Sequence, residues 1–173
     1  MERREAVREA YEQYSARLVA QAYALTGDYA EAQDVVHEAF ARALAQGERF
    51  AAVAEAEAWL RTVVLNVFRS RYRRRVVFDR LVRLGRVDRT PDEVPGISAD
   101  RVVLVAALQR LPRGTREALV LHHLADLPVT EVAAQLQVSV SAVKTRLVRG
   151  RAALAELLAD RPHTSERNEV RHA

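Results

Sequence analysis

The sequence contains no cysteine, which excludes disulfide bonds, thiolate nucleophiles and cysteine-based zinc sites. Its N-terminal segment, 1–8, is charged and has no apolar core of the kind found in signal peptides. No apolar run approaches the roughly 20 residues that a transmembrane helix needs. These absences predict a cytoplasmic protein with no direct membrane insertion.

Motifs that carry catalysis are also missing. There is no glycine-rich phosphate loop, and no nucleophile stands beside an evident base. His122 and His123 are the only adjacent histidines, and neighbouring side chains on a helix point about 100° apart, which makes a poor metal pair. We therefore expect a protein that is not an enzyme and that uses no metal, no cofactor and no small-molecule substrate.

Helix breakers are scarce, with 6 glycines and 5 prolines, whereas 49% of the residues are hydrophobic. Alanine, arginine, valine, leucine and glutamate dominate, and all of these side chains except valine lose little freedom on a helix. The net charge is only +4, but every basic residue except Lys144 is arginine, whose planar fork donates two hydrogen bonds to a phosphate at once. The composition predicts an all-α fold.

Apolar residues recur at spacings of three and four in both halves of the chain, as on amphipathic helices. Between the halves this periodicity decays and glycine and proline cluster, which is typical of an interdomain linker. A helical extension over 78–84 is compatible with the pattern. The sequence thus predicts two small helical domains joined by a linker. The predicted divisions are a first domain at 1–77, a linker at 78–98, a second domain at 99–160 and a disordered tail at 161–173.

Segment 129–151 has the pattern of a helix-turn-helix: a short helix, a tight turn and a longer helix. Thr130 and Ser139 are suited to cap the two helices, and Val138 is expected to fill the turn. Gln137 stands in the turn, where glycine is easier if φ is positive. In this motif the second helix is held so that its outer side enters the major groove of DNA.

The outer side of that second helix carries the chemistry that DNA recognition needs. Its residues offer donors to phosphates and base edges, and one apolar contact for a thymine methyl. The alternative is an amphipathic hairpin with a solvated basic face, but capping, packing and face chemistry together favour DNA binding. The predicted DNA-binding residues are Ser141, Lys144, Thr145, Arg146, Val148 and Arg149.

Segments 111–121, 130–136 and 143–151 resemble the fourth conserved domain of extracytoplasmic-function sigma factors. That domain reads the minus-thirty-five promoter element. The resemblance implies major-groove contacts by Lys144, Thr145, Val148 and Arg149, on the helix that begins near Ser139. Taken alone, the pattern also fits the DNA-binding domain of a response regulator.

The first half of the chain distinguishes these families. Residues 32–44 resemble the helix by which sigma factors grip the clamp of RNA polymerase, and residues 58–75 resemble the helix that recognises the minus-ten element. The resemblance implies polymerase contacts by Asp34, His37 and Glu38, with His37 where the family usually has glutamine. Without the resemblance, the acidic residues would be an ordinary solvated face.

Asn66, Arg69 and Arg73 align at i, i+3 and i+7 on the third long helix. Asparagine can read a base edge, and the arginines can hold the backbone of a displaced strand. The alternatives are a capping or core hydrogen bond for Asn66 and a solvated helix end for the arginines, but clustered arginines repel unless a polyanion neutralises them. By resemblance, the loop 46–57 holds a flipped base, where Phe50 either stacks on that base or packs in the core.

The predicted function is that of an extracytoplasmic-function sigma factor. Such a protein binds core RNA polymerase, recognises minus-thirty-five and minus-ten elements in promoter DNA and helps to open the duplex; an anti-sigma factor is a further expected partner. The main alternative is a DNA-binding repressor or activator with a helical sensor domain, which binds duplex DNA without polymerase. A third is a helical protein-interaction adaptor, which predicts no salt-sensitive DNA binding.

Overall fold

The computed structural model describes residues 2–82 and 96–160, and all regular secondary structure in these ranges is helical. The helices are α1 (Glu2–Thr26), α2 (Tyr29–Gln46), α3 (Glu48–Ala51), α4 (Ala56–Val82), α5 (Ala99–Gln109), α6 (Arg113–Leu119), α7 (Val129–Leu136) and α8 (Val140–Ala159). A π-helical turn, Val120–Leu124, continues α6. The prediction of an all-α fold is confirmed.

Helices α1 and α2 form a hairpin around a two-residue break. Gly27 has a φ of +73°, a left-handed conformation that glycine adopts at little cost. Asp28 then caps α2, because its Oδ1 accepts a hydrogen bond from the backbone N–H of Glu31 at 3.0 Å. At the far end Gly47 closes α2, and its N–H donates to the carbonyls of Ala43 and Leu44.

Helix α4 packs across this hairpin and completes the first apolar core. The fully buried residues of this core include Leu18, Ala22, Val35, Val36, Ala39 and Leu60. Phe50 on α3 belongs to the same core: it is 3% exposed and its ring packs edge-on against Trp59, with centroids 5.2 Å apart. Burial of such a side chain stabilises the fold by about 2 kcal/mol. Of the two roles considered for Phe50, the structure supports core packing.

The helix-turn-helix is formed by α7 and α8. Gln137 ends α7 in the left-handed region, at φ 57° and ψ 45°, so the turn does require the conformation that favours glycine. Ser139 caps α8 as predicted, accepting from the N–H of Ala142 at 3.1 Å. The predicted cap at Thr130 is wrong: α7 begins at Val129, so Pro128 occupies the N-cap position and Thr130 lies inside the first turn.

The second core lies between these helices and α6. Val132, Ala133 and Leu136 from α7 are buried together with Val143 and Leu147 from α8. Helix α8 also crosses α6 closely at Gly150, where an added Cβ would lie 2.7 Å from Thr115 Cγ2 and 2.8 Å from Leu119 Cδ1. Gly150 therefore sets the distance between α6 and the helix predicted to read DNA.

The two helical groups, α1–α4 and α5–α8, pack directly on each other. Val105 of α5 is buried in the first core, while Leu65 and Phe68 of α4 are buried in the second. Helix α4 thus buries side chains on two sides, one facing its own hairpin and one facing the second group. This shared burial positions the candidate sites described next.

Helix α4 continues to Val82, past the predicted end of the first domain at residue 77. Linker residues 83–95 and the tail predicted at 161–173 lie outside the described residues. None of the helices within 2–82 and 96–160 combines the length and the apolar character that a membrane span requires.

Candidate nucleic-acid and polymerase interfaces

Helix α8 presents its predicted DNA-binding face to solvent. Val143 and Leu147, buried beneath it, fix the rotation of the helix. The exposed residues on the outer side are Ser141, Lys144, Thr145, Val148 and Arg149. Val148 is 61% exposed, an apolar side chain on an otherwise polar face. This combination matches the donors and the methyl contact that major-groove readout uses.

Arg146 is placed differently from the rest of the predicted set. Its guanidinium lies over the first turn of α6, where an added Cβ on Gly114 would be 3.1 Å from Arg146 Cζ. Its side chain is half-buried, whereas Lys144 and Arg149 are exposed. Arg146 thus flanks the open face at the seam between α8 and α6.

The three residues predicted to read the minus-ten element are in unequal environments on α4. Asn66 and Arg73 are exposed, but Arg69 is half-buried and points to the second helical group. There it forms a bidentate pair with Glu117 of α6: Nε donates to Oε1 at 3.1 Å and Nη2 to Oε2 at 2.8 Å. Glu117 is only 2% exposed, so the structure holds Arg69 on a buried carboxylate.

A cleft of about 490 Å³ separates α4 from α7 beside this pair. Asn66 and Arg69 line its α4 wall, and Gln135 and Gln137 line the opposite wall. Gln135 Nε2 also donates to Thr62 Oγ1 across the cleft at 2.8 Å. The part of α4 that carries Asn66 and Arg69 therefore faces the helix-turn-helix.

The arginine-rich end of α4 is paired with the acidic side of α2. Arg71 Nη2 lies 2.9 Å from Glu38 Oε2, and Arg75 Nη2 lies 2.6 Å from Glu31 Oε1. Arg42 Nη2 approaches Glu38 from its own helix at 2.6 Å. The hydrogen bond from Arg71, helped by the charge of Arg42, holds the pKa of the Glu38 carboxyl below its usual range.

The residues predicted to contact polymerase thus fall into two groups. Asp34 and His37 are exposed on α2, while Glu38 is half-buried between the two arginines. His37 also lies beside Tyr11 of α1, with Nε2 and the phenol oxygen 3.5 Å apart. Asp34 and His37 are therefore accessible to a partner protein, whereas Glu38 is already paired with Arg42 and Arg71.

Three residues that join the helical groups were not among the predicted site residues: Gln109, Arg116 and Glu117. Arg116 and Glu117 are buried beside the apolar run 118–121, and adjacent opposite charges next to such a run are the available sequence signal. Their partners lie far away in sequence, at Leu25 and Arg69. Such distant pairings do not follow from local spacing.

The adjacent histidines lie in and near the π-helical turn. His122 Nδ1 is 2.8 Å from the carbonyl of Leu127, and the two rings meet edge-on with centroids 4.8 Å apart. In the parts of the chain that the structure describes, no group of three or more histidine, cysteine, aspartate or glutamate side chains is arranged to hold a metal ion.

Two family models match the chain. The model of sigma-70 region 2 matches residues 10–76, which covers α2, α3 and most of α1 and α4. The model of sigma-70 region 4 matches residues 101–154, from α5 into α8. The two matches follow each other in the chain without overlap.

Curated relatives match most of the chain. The chain is 37% identical over 141 residues to the ECF RNA polymerase sigma factor EcfG of Rhodopseudomonas palustris, covering 79% of this chain and 76% of that protein. It is 33% identical over 149 residues to SigL of Mycobacterium tuberculosis, covering 82% of each. SigE of Mycolicibacterium smegmatis is 31% identical over 160 residues, but the match spans only 61% of that longer protein.

Two solved structures superpose over most of the chain. The sigma factor RpoE of Bartonella quintana, in complex with the anti-sigma factor NepR, gives a TM-score of 0.75 at 26% identity and covers 89% of this chain and 98% of that one. CnrH, in complex with the cytosolic domain of CnrY, gives 0.63 at 28% identity and covers 91% of each.

Proposed function

The chain belongs to the extracytoplasmic-function sigma factors of the sigma-70 family, and from that premise we propose which residues carry its contacts. As a sigma factor it binds core RNA polymerase and recognises promoters for transcription initiation. We propose that it performs no covalent chemistry itself, since the polymerase supplies the reaction, and that it acts in the cytoplasm.

The minus-thirty-five element is assigned to α8, with the second domain at 99–160. Lys144, Thr145 and Arg149 supply donors for base edges and phosphates, and Val148 supplies the thymine contact. Support comes from the exposure of all four side chains on one face whose rotation is fixed by buried residues beneath. Ser141 and the flanking Arg146 are assigned to phosphates.

The minus-ten element is assigned to α4, in the first domain at 1–77. Asn66 reads a base edge, while Arg69 and Arg73 hold the backbone of the displaced strand. The support is their common face and the surplus of arginines at the end of α4, beyond those paired with α2. The position of Arg69 on Glu117 means that this residue must change partner to reach DNA.

Core polymerase is assigned to the acidic side of α2, through Asp34, His37 and Glu38. Complementary charge across an interface orients and speeds association. An anti-sigma factor is the further partner that we propose, since RpoE and CnrH, the two superposed structures, were each solved in complex with a second protein.

The observation that carries the proposal is the succession of the two sigma regions, 10–76 and 101–154, in one chain. A free-standing DNA-binding regulator accounts for the second region but not for the first. A helical adaptor accounts for neither.

Run-off transcription tests the assignment. The purified chain is added to sigma-free bacterial core polymerase with a fragmented genomic library, and the transcripts are sequenced. We expect discrete start sites that share two upstream elements. Absence of transcripts together with tight binding of the chain alone to duplex DNA would favour the free-standing regulator.

A further inference from the structure

The interface between the two helical groups contains a cluster of buried polar contacts. We propose that Gln109, Arg116 and Glu117 form a latch that keeps the two helical groups of the free chain packed together, which we call the closed state. In this state Arg69 is bound to Glu117 and cannot bind a DNA phosphate. The inference rests on the proposed function only in assigning Arg69 to the minus-ten element. The closed state itself follows from contacts within the chain.

Arg116 fastens the second group to the end of α1. It is 8% exposed, and its Nη1 donates to the carbonyl of Leu25 at 2.7 Å and to Gln109 Oε1 at 2.6 Å. Gln109 Nε2 donates in turn to the carbonyl of Ala24 at 2.9 Å. The last carbonyls of a helix have no partner within the helix and carry its negative dipole end, so a guanidinium and an amide satisfy them well.

The turn after α1 is shaped to receive Gln109. An added Cβ on Gly27 would lie 2.6 Å from Gln109 Cγ and 2.7 Å from Cδ. Because these contacts are so short, any larger residue at position 27 would displace the Gln109 side chain from its place. The latch therefore fits a surface whose backbone conformation and lack of a side chain both depend on one glycine.

Glu117 supplies the second half of the latch. Its buried carboxylate is held by the bidentate pair with Arg69, while Arg113 of its own helix remains at 3.6 Å. Bidentate pairs of arginine with a carboxylate or a phosphate use the same planar fork. Arg69 cannot present that fork to Glu117 and to a DNA backbone at once, so latch closure and the proposed strand contact exclude each other.

Apolar contacts complete the closed interface. Leu25, Leu65 and Phe68 from the first group are buried in one cluster with Leu108 and Leu111 from the second. Separation of the groups exposes these side chains, so opening is unfavourable unless polymerase or DNA covers part of the surface. A ligand that binds only the open form has its apparent affinity reduced by the fraction of molecules that are open.

The absence of cysteine allows a direct test. Ala16→Cys on α1 and Ala152→Cys on α8 place a dye on an exposed site of each group, and energy transfer between the dyes reports closure of the full chain. Glu117→Gln keeps the shape of the latch and removes its charge; Gln109→Ala removes the contact with α1. The matched control is Glu156→Gln, the same charge change at an exposed site on α8.

We expect high energy transfer in the background chain and the control. In each latch variant the ratio of open to closed molecules should rise about tenfold, and circular dichroism should show unchanged helix content. Energy transfer as high in both latch variants as in the control would overturn the latch.

The second claim, that the latch and the DNA contact of Arg69 exclude each other, is tested by run-off transcription. The same variants without dyes are assayed at chain concentrations that limit the amount of transcript. The latch variants should reach half-maximal transcription at a several-fold lower concentration than the control. If the latch variants open but need the same concentration as the control for half-maximal transcription, the claim that the latch competes with DNA for Arg69 is overturned. If even the wild-type chain directs no transcription, the proposed function fails, while the energy-transfer result still decides whether the latch exists.

Discussion

Helices α4 and α8 each carry a row of candidate DNA-binding residues, but the two rows differ in how far the rest of the chain covers them. On α8, Lys144, Thr145 and Arg149 are exposed and ready to meet a groove. On α4, Arg69 is bound to Glu117 beside a cleft that faces α7. The difference shows that polar residues at helical spacing identify a candidate face, whereas the packing of the rest of the chain decides whether that face is open.

The largest effect should come from removing the open face. Lys144→Ala combined with Arg149→Ala removes donors to bases and phosphates, each worth about 1–3 kcal/mol, so promoter-dependent transcription should fall about a hundredfold. Binding to core polymerase, measured by fluorescence anisotropy, should be unchanged because both side chains lie on α8, whereas the polymerase contacts are assigned to α2. Equal loss of core binding in the folded variant would contradict the division between α8 and the first domain.

The next effect concerns the seating of α8 on α6. Gly150→Val forces new atoms against Thr115 and Leu119, and such overpacking costs about 1–3 kcal/mol. Urea unfolding should show this loss of stability, whereas Ala152→Val, at an exposed site two residues along the same helix, should cost less than about 1 kcal/mol. An unchanged midpoint for the Gly150 variant would mean that α6 and α8 are not as close as the structure shows.

A smaller loss of promoter use is expected when only the apolar contact on α8 is removed and its polar neighbours are kept. Val148→Ser removes the proposed thymine contact, which should weaken promoter use by about tenfold. The folding free energy should scarcely change because Val148 is 61% exposed. Thermal unfolding and run-off assays on the same preparation check both parts, and full promoter activity in the variant would remove Val148 from the site.

The smallest effect concerns the pairing of α2 with α4. Because the arginines lower the folded-state pKa of Glu38, its contribution to stability is present above the ordinary carboxyl pKa near 4.5 and is lost as the pH falls through the lowered value. The pair is partly exposed, so the contribution should be less than about 1 kcal/mol. Glu38→Gln should therefore lower the Tm slightly at pH 7, and this difference should shrink as the pH falls through the lowered pKa of Glu38. A difference of the same size at pH 7 and in acid would contradict the pairing.

The sequence was sufficient where local chemistry decides the structure. The cap at Ser139 and the tight turn between α7 and α8 follow from spacing and residue type. The prediction that Thr130 is the N-cap of α7 was wrong because Pro128 is equally able to precede the first residue of the helix. A first-turn hydroxyl and a preceding proline give overlapping start signals.

Long-range partners were not predictable from the sequence. Leu65 and Arg69 point to the second group only because the chain folds back, and the pair of Arg69 with Glu117 joins residues 48 positions apart. Periodicity shows which side of α4 is apolar but not which element covers it. Likewise, Phe50 fitted either a base pocket or a core until the position of Trp59 was known.

Arginine reactivity measures the contrast between the two faces most directly. The free chain is treated with phenylglyoxal, which modifies accessible guanidinium groups, and the rate at each site is followed by mass spectrometry. Arg149 should react rapidly and Arg69 slowly, because Arg69 is 23% exposed and bound to a buried carboxylate. Addition of core polymerase without DNA should speed the reaction of Arg69 as the chain opens. Equal rates at Arg69 and Arg149 in the free chain would contradict the account.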